Sequence, residues 1–183
     1  MTGIRIAELV MCSVALVAFG WGMTCFFGRS SRPRPLTRAV AALGGLFAAW
    51  HLWAIWKSDP NVWQATIAMV LYTLALALFL WAIRTSCRRS LMAIFDNGSP
   101  RHLEVDGPFR YLRHPIYVAY MTFWWAGAMA SRSWIAAASA LVMSWLYVRA
   151  ARSEEAAFRR SSLVEEHTKY CQRTPFMLPG TKP

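Results

Sequence analysis

Residues 62–83 read VWQATIAMVLYTLALALFLWAI, twenty-two consecutive positions without a charged side chain. As an α-helix this run is about 33 Å long at 1.5 Å per residue, and the hydrocarbon core of a bilayer is about 30 Å thick. A helix that is apolar on every face belongs inside a large core or a membrane. Further apolar runs lie outward from it at 4–27, 36–56, 116–130 and 134–148. They predict an all-α integral membrane protein with about five transmembrane helices. The last two runs are short and are separated only by Ser131, Arg132 and Ser133. They read as a tight helical hairpin, with a re-entrant pair that fails to cross as the alternative.

Composition supports this reading. Of the 183 residues, 56% are hydrophobic and 16% charged, too much apolar surface for one soluble core. The net charge of +11 raises the question of nucleic acid. A nucleic-acid binder gathers its Lys and Arg on one polar surface, whereas here they sit between apolar runs, as cytoplasmic membrane loops do. No nucleic-acid partner is expected. Seventeen basic residues fall on one side of the five runs, and only Arg5, Lys57 and Arg132 on the other. The positive-inside rule then places the N-terminus outside the cytoplasm and the C-terminus within it, as in a bacterial inner membrane. The first run is too long for a signal-peptide core and has no basic stretch before it, so it reads as a retained helix. Trp21, Trp50, Trp53, Trp56, Trp63, Trp81 and Trp134 stand near run ends, where an aromatic belt forms. Cys12, Cys25, Cys87 and Cys171 have neither metal-ligand spacing nor a disulfide framework, so no metal is expected.

The chain divides into a three-helix membrane scaffold, 1–85, and a part, 86–183, that holds a loop, the hairpin and C-terminal helices, all within a single domain. Leu91, Met92, Ile94 and Phe95 suggest an interfacial helical turn, ending at Asn97-Gly98-Ser99-Pro100. Further on come Gly107-Pro108-Phe109-Arg110-Tyr111-Leu112-Arg113-His114-Pro115-Ile116-Tyr117. Pro115 suits the first position of a helix, where its missing N–H would be unpaired anyway. The free N–H groups of a helix start attract anions, and Arg113 offers a two-pronged fork for carboxylate or phosphate. The plain alternative is that Arg110 and Arg113 anchor a helix end among phospholipid headgroups. Glu154 and Glu155 continue directly from the fifth run, and a carboxylate there can accept from both hydroxyls of a ribose. They could instead pair with Arg152, Arg159 or Arg160, which is worth little at a surface. His51, one to two turns from Lys57, reads as interfacial.

The 107–117 stretch closely resembles the signature of the isoprenylcysteine carboxyl methyltransferase family, Gly-Pro-Tyr-Arg-Tyr-x-Arg-His-Pro-x-Tyr before a helical hairpin. After the hairpin that family shows Glu-Glu, a Tyr-x-x-Tyr helix, an Arg and a Pro-bounded end. This chain has Glu154-Glu155, Tyr170, Arg173 and Pro179 in that order. It departs at Phe109, where Tyr is usual, at Val164, in the place of a Gly, and at His167, in the place of the first Tyr.

The resemblance implies a methyltransferase whose cofactor, S-adenosylmethionine, sits between loop, hairpin and C-terminal helix. It assigns Gly107, Pro108, Tyr111, His114, Pro115, Tyr117, Glu154, Glu155 and Tyr170 to cofactor binding, and Arg113, Arg173 and Glu155 to the catalytic centre. It also implies a lipophilic acceptor, carrying an O, S or N nucleophile, that arrives from the surrounding membrane lipid. The alternatives are an NADPH-dependent membrane reductase, although no glycine-rich dinucleotide loop follows a strand, and a non-enzymatic membrane subunit.

Overall fold

The computed structural model describes residues 2–27, 35–59, 61–87 and 103–178. Among them the order is α1 (Thr2–Phe27), α2 (Pro35–Lys57), α3 (Val62–Cys87), a one-turn 3-10 helix (Gly107–Arg110), α4 (Pro115–Ser131), α5 (Trp134–Phe158) and α6 (Val164–Cys171). No strand occurs among the described residues. The expected interfacial turn at 91–95 and the breaker at 97–100 lie outside them.

Segments Gly3–Gly22, Arg38–Lys57, Val62–Ser86 and Trp134–Phe158 are each long and apolar enough to cross a membrane. The protein is an all-α integral membrane protein. The fourth apolar run forms α4, whose 17 residues make it shorter than these four. It packs chiefly on α3 and α5. The α4–α5 hairpin closes within two residues. Arg132 takes the left-handed conformation (φ 52°) as the C-cap of α4, and Ser133 caps α5 by accepting from the Ala136 N–H at 3.4 Å.

What holds the helices together is a difference of side-chain size more than of polarity. On α3 the buried positions are Ala65, Ala68, Tyr72, Ala75, Phe79, Ala82 and Ser86, a stripe at spacings of three and four, with Ile83 beside it. The exposed positions Trp63, Ile67, Val70, Leu74 and Trp81 are apolar too, and larger than the four alanines of that stripe. Lipid is as apolar as leucine, so burying leucine against a neighbour brings little, and small residues that allow close backbone approach take the interface instead. Aromatic rings fill the remaining space. Phe19 of α1 meets Phe79, Tyr120 and Phe123 edge-on at centroid distances of 4.7, 4.8 and 5.3 Å.

Polar contacts fix which ends lie together. The Arg5 guanidinium donates to the Ser58 carbonyl at 2.7 Å and pairs with Asp59 at 3.6 Å, which sets the start of α1 beside the α2–α3 turn. His51 is fully enclosed by protein, unlike the interfacial residue the sequence suggested. Ser139 Oγ donates to the Ala136 carbonyl at 2.8 Å, so the 2.8 Å contact between His51 Nε2 and Ser139 Oγ is donated by the histidine. That bond places the start of α5 beside the end of α2. The turns carrying Arg5, Lys57 and Arg132 therefore share one end of the bundle. The start of α4 and the end of α5 share the other.

Candidate functional site

Glu154 lies twenty residues beyond Trp134 on α5, about 30 Å along the axis, or one hydrocarbon thickness. The two glutamates therefore stand near the end of α5 that is remote from the hairpin turn. Opposite them the chain before α4 is folded by short-range constraints. Gly107 has a positive φ of 57°, and a Cβ there would overlap the Thr85 side chain, so glycine both makes the bend and lets the loop close on α3. The Pro108 carbonyl accepts from the N–H groups of Tyr111 and Leu112, each at 3.1 Å.

The C-terminal segment then clamps this loop from outside. Tyr170 OH donates to the Phe109 carbonyl at 2.6 Å, and the Arg113 N–H donates to the Pro175 carbonyl at 3.0 Å. Thr174, itself buried, donates from Oγ1 to the Arg110 carbonyl at 3.5 Å.

The clamp brings two basic and two acidic side chains together. Arg113 Nη1 lies 3.2 Å from Glu155 Oε1, with the two side chains only 12% and 13% exposed. His114 bridges both carboxylates, with Nε2 at 3.4 Å from Glu155 Oε1 and Nδ1 at 3.7 Å from Glu154 Oε2. Tyr117 OH donates to Glu154 Oε1. The Tyr117 ring stacks on Tyr147 at 5.8 Å, and Tyr147 OH accepts from Trp124 Nε1 at 3.2 Å. Phe176 walls the other side, edge-on to the His114 ring at 5.0 Å and beneath the Arg113 guanidinium at 5.5 Å. Arg113 Nε is buried without a hydrogen-bond partner.

The residues expected from sequence divide into three groups. Arg113, His114, Tyr117, Glu154 and Glu155 converge, and Pro115 begins α4 beneath them. Gly107, Pro108 and Tyr170 shape the loop around that cluster. Tyr111 is exposed, with its ring 6.1 Å from Trp81, and Arg173 is exposed outside these ion pairs.

Phe176 escaped the sequence reading, because nothing in Thr174-Pro175-Phe176 announces that the tail folds back. Cysteine spacing alone does not reveal the surroundings of Cys171. Its Sγ lies 3.5 Å from His167 Nε2, one helical turn away. Phe158 stacks on that imidazole at 4.9 Å, with the ring planes 3° apart. Burial lowers the pKa of His167 and so favours the neutral ring. It raises those of the Cys171 thiol and the Tyr170 hydroxyl, so both stay protonated near neutrality.

A phospholipid methyltransferase family model matches residues 63–161, more than half of the chain. The chain belongs to that family. It is a membrane methyltransferase, and the match runs from the start of α3 through the 107–117 loop and the whole hairpin to just past Glu155. The paired ions thus lie within the family region, while α6 and the clamping tail lie beyond it. No curated protein matches the chain.

Proposed function

We propose that the protein transfers a methyl group from S-adenosylmethionine to an O, S or N nucleophile on a lipophilic acceptor, most like isoprenylcysteine carboxyl methylation. The observation that carries this is the Arg113–Glu155–His114–Glu154–Tyr117 cluster, held at the membrane-boundary end of the hairpin. The cofactor has a carboxylate, two cationic groups, a ribose diol and an aromatic base, and the cluster has a complement for each. Arg113 keeps a buried, unpartnered Nε–H for a carboxylate. Glu154 and Glu155 supply acceptors for ribose hydroxyls and negative charge for the cationic groups. Phe176, Tyr117 and Tyr147 offer flat faces.

Bound there, S-adenosylmethionine supplies an electrophilic methyl for in-line displacement. The chain's residues act by position and charge. Arg113 and His114 hold the glutamates in place, and the tail clamp excludes water, which strengthens every charge interaction inside. Placing donor and acceptor in near-attack geometry supplies much of the rate. Arg173, exposed at the rim, provides positive charge for an anionic acceptor. The positive-inside rule, applied to the seventeen basic residues that the sequence sets on one side of the apolar runs, supports a cytoplasmic site. Cofactor then arrives from cytosol and acceptor from lipid.

The test is calorimetric titration of the detergent-purified protein with S-adenosylhomocysteine, the expected product. Saturable binding that His114→Ala abolishes supports the reading. No binding in two lipid-like environments, together with heat on adding NADPH, overturns it in favour of a reductase.

A further inference from the structure

We propose that the exposed face of α5 carries a docking site for one anionic phospholipid, with Arg149 and Arg152 taking its phosphate and Trp145, Leu141 and Val142 its glycerol and upper acyl chains. Leu141, Trp145, Arg149 and Arg152 follow one another at spacings of four, four and three, so they lie along one face of the helix. Leu141 and Trp145 are 59% and 58% exposed, and both arginines are exposed. The stripe runs from aliphatic through aromatic to cationic side chains. That is the order in which a lipid presents acyl chain, glycerol and phosphate.

The basic end of the stripe is pre-arranged. The Arg149 guanidinium lies over the Trp145 ring, 5.1 Å from its centroid. The indole covers a face of the guanidinium and leaves its N–H edge for oxygen acceptors. Arg149 is also the first charged residue after the fifteen uncharged positions 134–148, on a helix long and apolar enough to cross a membrane. In a bilayer its long side chain reaches for the headgroup layer.

Charge selects the headgroup. Arg149 and Arg152 stand one helical turn apart and repel each other, which a phosphate between them relieves. No acidic side chain lies on the stripe, and neither arginine forms an ion pair among the described residues. The two acids of α5, Glu154 and Glu155, are engaged by Arg113, His114 and Tyr117. A zwitterionic headgroup would bring its own cation toward two guanidinium groups, so a lipid of net negative charge fits better. This lipid is a bound neighbour of the bundle and not the methyl acceptor, so the inference does not rest on the function proposed above.

The experiment is native mass spectrometry of the full chain in detergent, titrated with phosphatidylglycerol or with phosphatidylcholine of the same acyl chains. The first phosphatidylglycerol adduct is expected to be about fivefold tighter than the phosphatidylcholine one, the effect of one arginine near an anionic headgroup. Replacing both arginines, Arg149→Gln with Arg152→Gln, should abolish that preference. Arg149→Lys should keep part of it, because the charge stays and the two-pronged geometry is lost. Arg84→Gln with Arg110→Gln removes exposed charge elsewhere and should keep all of it. All four positions are exposed, and unchanged unfolding temperatures would show that the variants fold. Equal affinity for the two lipids overturns the proposal. So does a preference that survives loss of Arg149 and Arg152, or one that both double variants lose equally, which would make it a property of net charge alone. Displacement of the adduct by an equal concentration of inorganic phosphate would overturn it too, since the ligand would then be a free anion and not a lipid.

Discussion

Glu155→Leu is expected to destabilise the protein by about 3–5 kcal/mol, the usual cost of leaving one partner of a buried ion pair uncompensated. The group left behind is the Arg113 guanidinium, with a side chain 12% exposed. Its backbone N–H ties the loop to Pro175 and its guanidinium lies over Phe176, so it cannot swing into water without opening the tail clamp. Replacing both partners by leucine should recover much of the loss, since two apolar groups leave no orphaned charge.

Glu155→Gln separates stability from chemistry. An amide oxygen can still accept from Arg113, so the fold should survive with a smaller loss. The negative charge is gone, however, and S-adenosylhomocysteine affinity should fall at least tenfold, the effect of losing one charge-assisted hydrogen bond of about 1.5–3 kcal/mol. Thermal unfolding in detergent measures the first effect and calorimetric titration the second. Full product affinity in the glutamine variant would remove Glu155 from the binding role. An unchanged unfolding temperature in Glu155→Leu would show that the pair does not hold the loop.

The parts of the molecule legible in its sequence are those governed by short-range rules. The spans follow from uninterrupted apolar length. The start of α4 follows from His114-Pro115, and the hairpin from three small or charged residues between two apolar runs. Arg113, His114, Tyr117 and the two glutamates were legible as a group because the resemblance ties two distant motifs together. Separation along the chain hid the rest. Phe176 lies more than sixty residues from Arg113 and has no motif of its own. His167 and Cys171 form a pair only through the i, i+4 geometry of a helix whose ends are marked by turns rather than by a strong cap. The interior of the bundle was hardest of all. Where both faces of a helix are apolar, periodicity of hydrophobicity cannot say which face is inside. The alanine stripe on α3 and the placement of Gly127 emerge only when the helices are packed.

Gly127→Ala should therefore be costly, although alanine is the better helix former by about 1 kcal/mol. Gly127 lies on α4 facing α2, and a Cβ there would overlap the His51 ring. That ring has little room to yield. It is fully buried, it donates to Ser139 on α5, and it stands edge-on to Trp124 at 5.2 Å. A second neighbour, Tyr72 OH, would sit 3.2 Å from the new methyl. Either the imidazole rotates and breaks its bond to Ser139, or α4 moves away from α2. Overpacking of this kind costs about 1–3 kcal/mol, enough to outweigh the propensity gain. The decisive comparison is made in a His51→Ala background. There the ring is absent, the alanine has space, and Gly127→Ala should be neutral or stabilising. The two substitutions should then couple by at least 1 kcal/mol, as directly contacting residues do. Equal unfolding temperatures for Gly127→Ala and the parent would mean that α2 and α4 are free to separate. Additive losses would mean that His51 and Gly127 do not touch. Coupling of the expected sign would show that the approach of α2 to α4 depends on a glycine, because only a hydrogen side chain leaves room for a buried histidine that bonds across to α5.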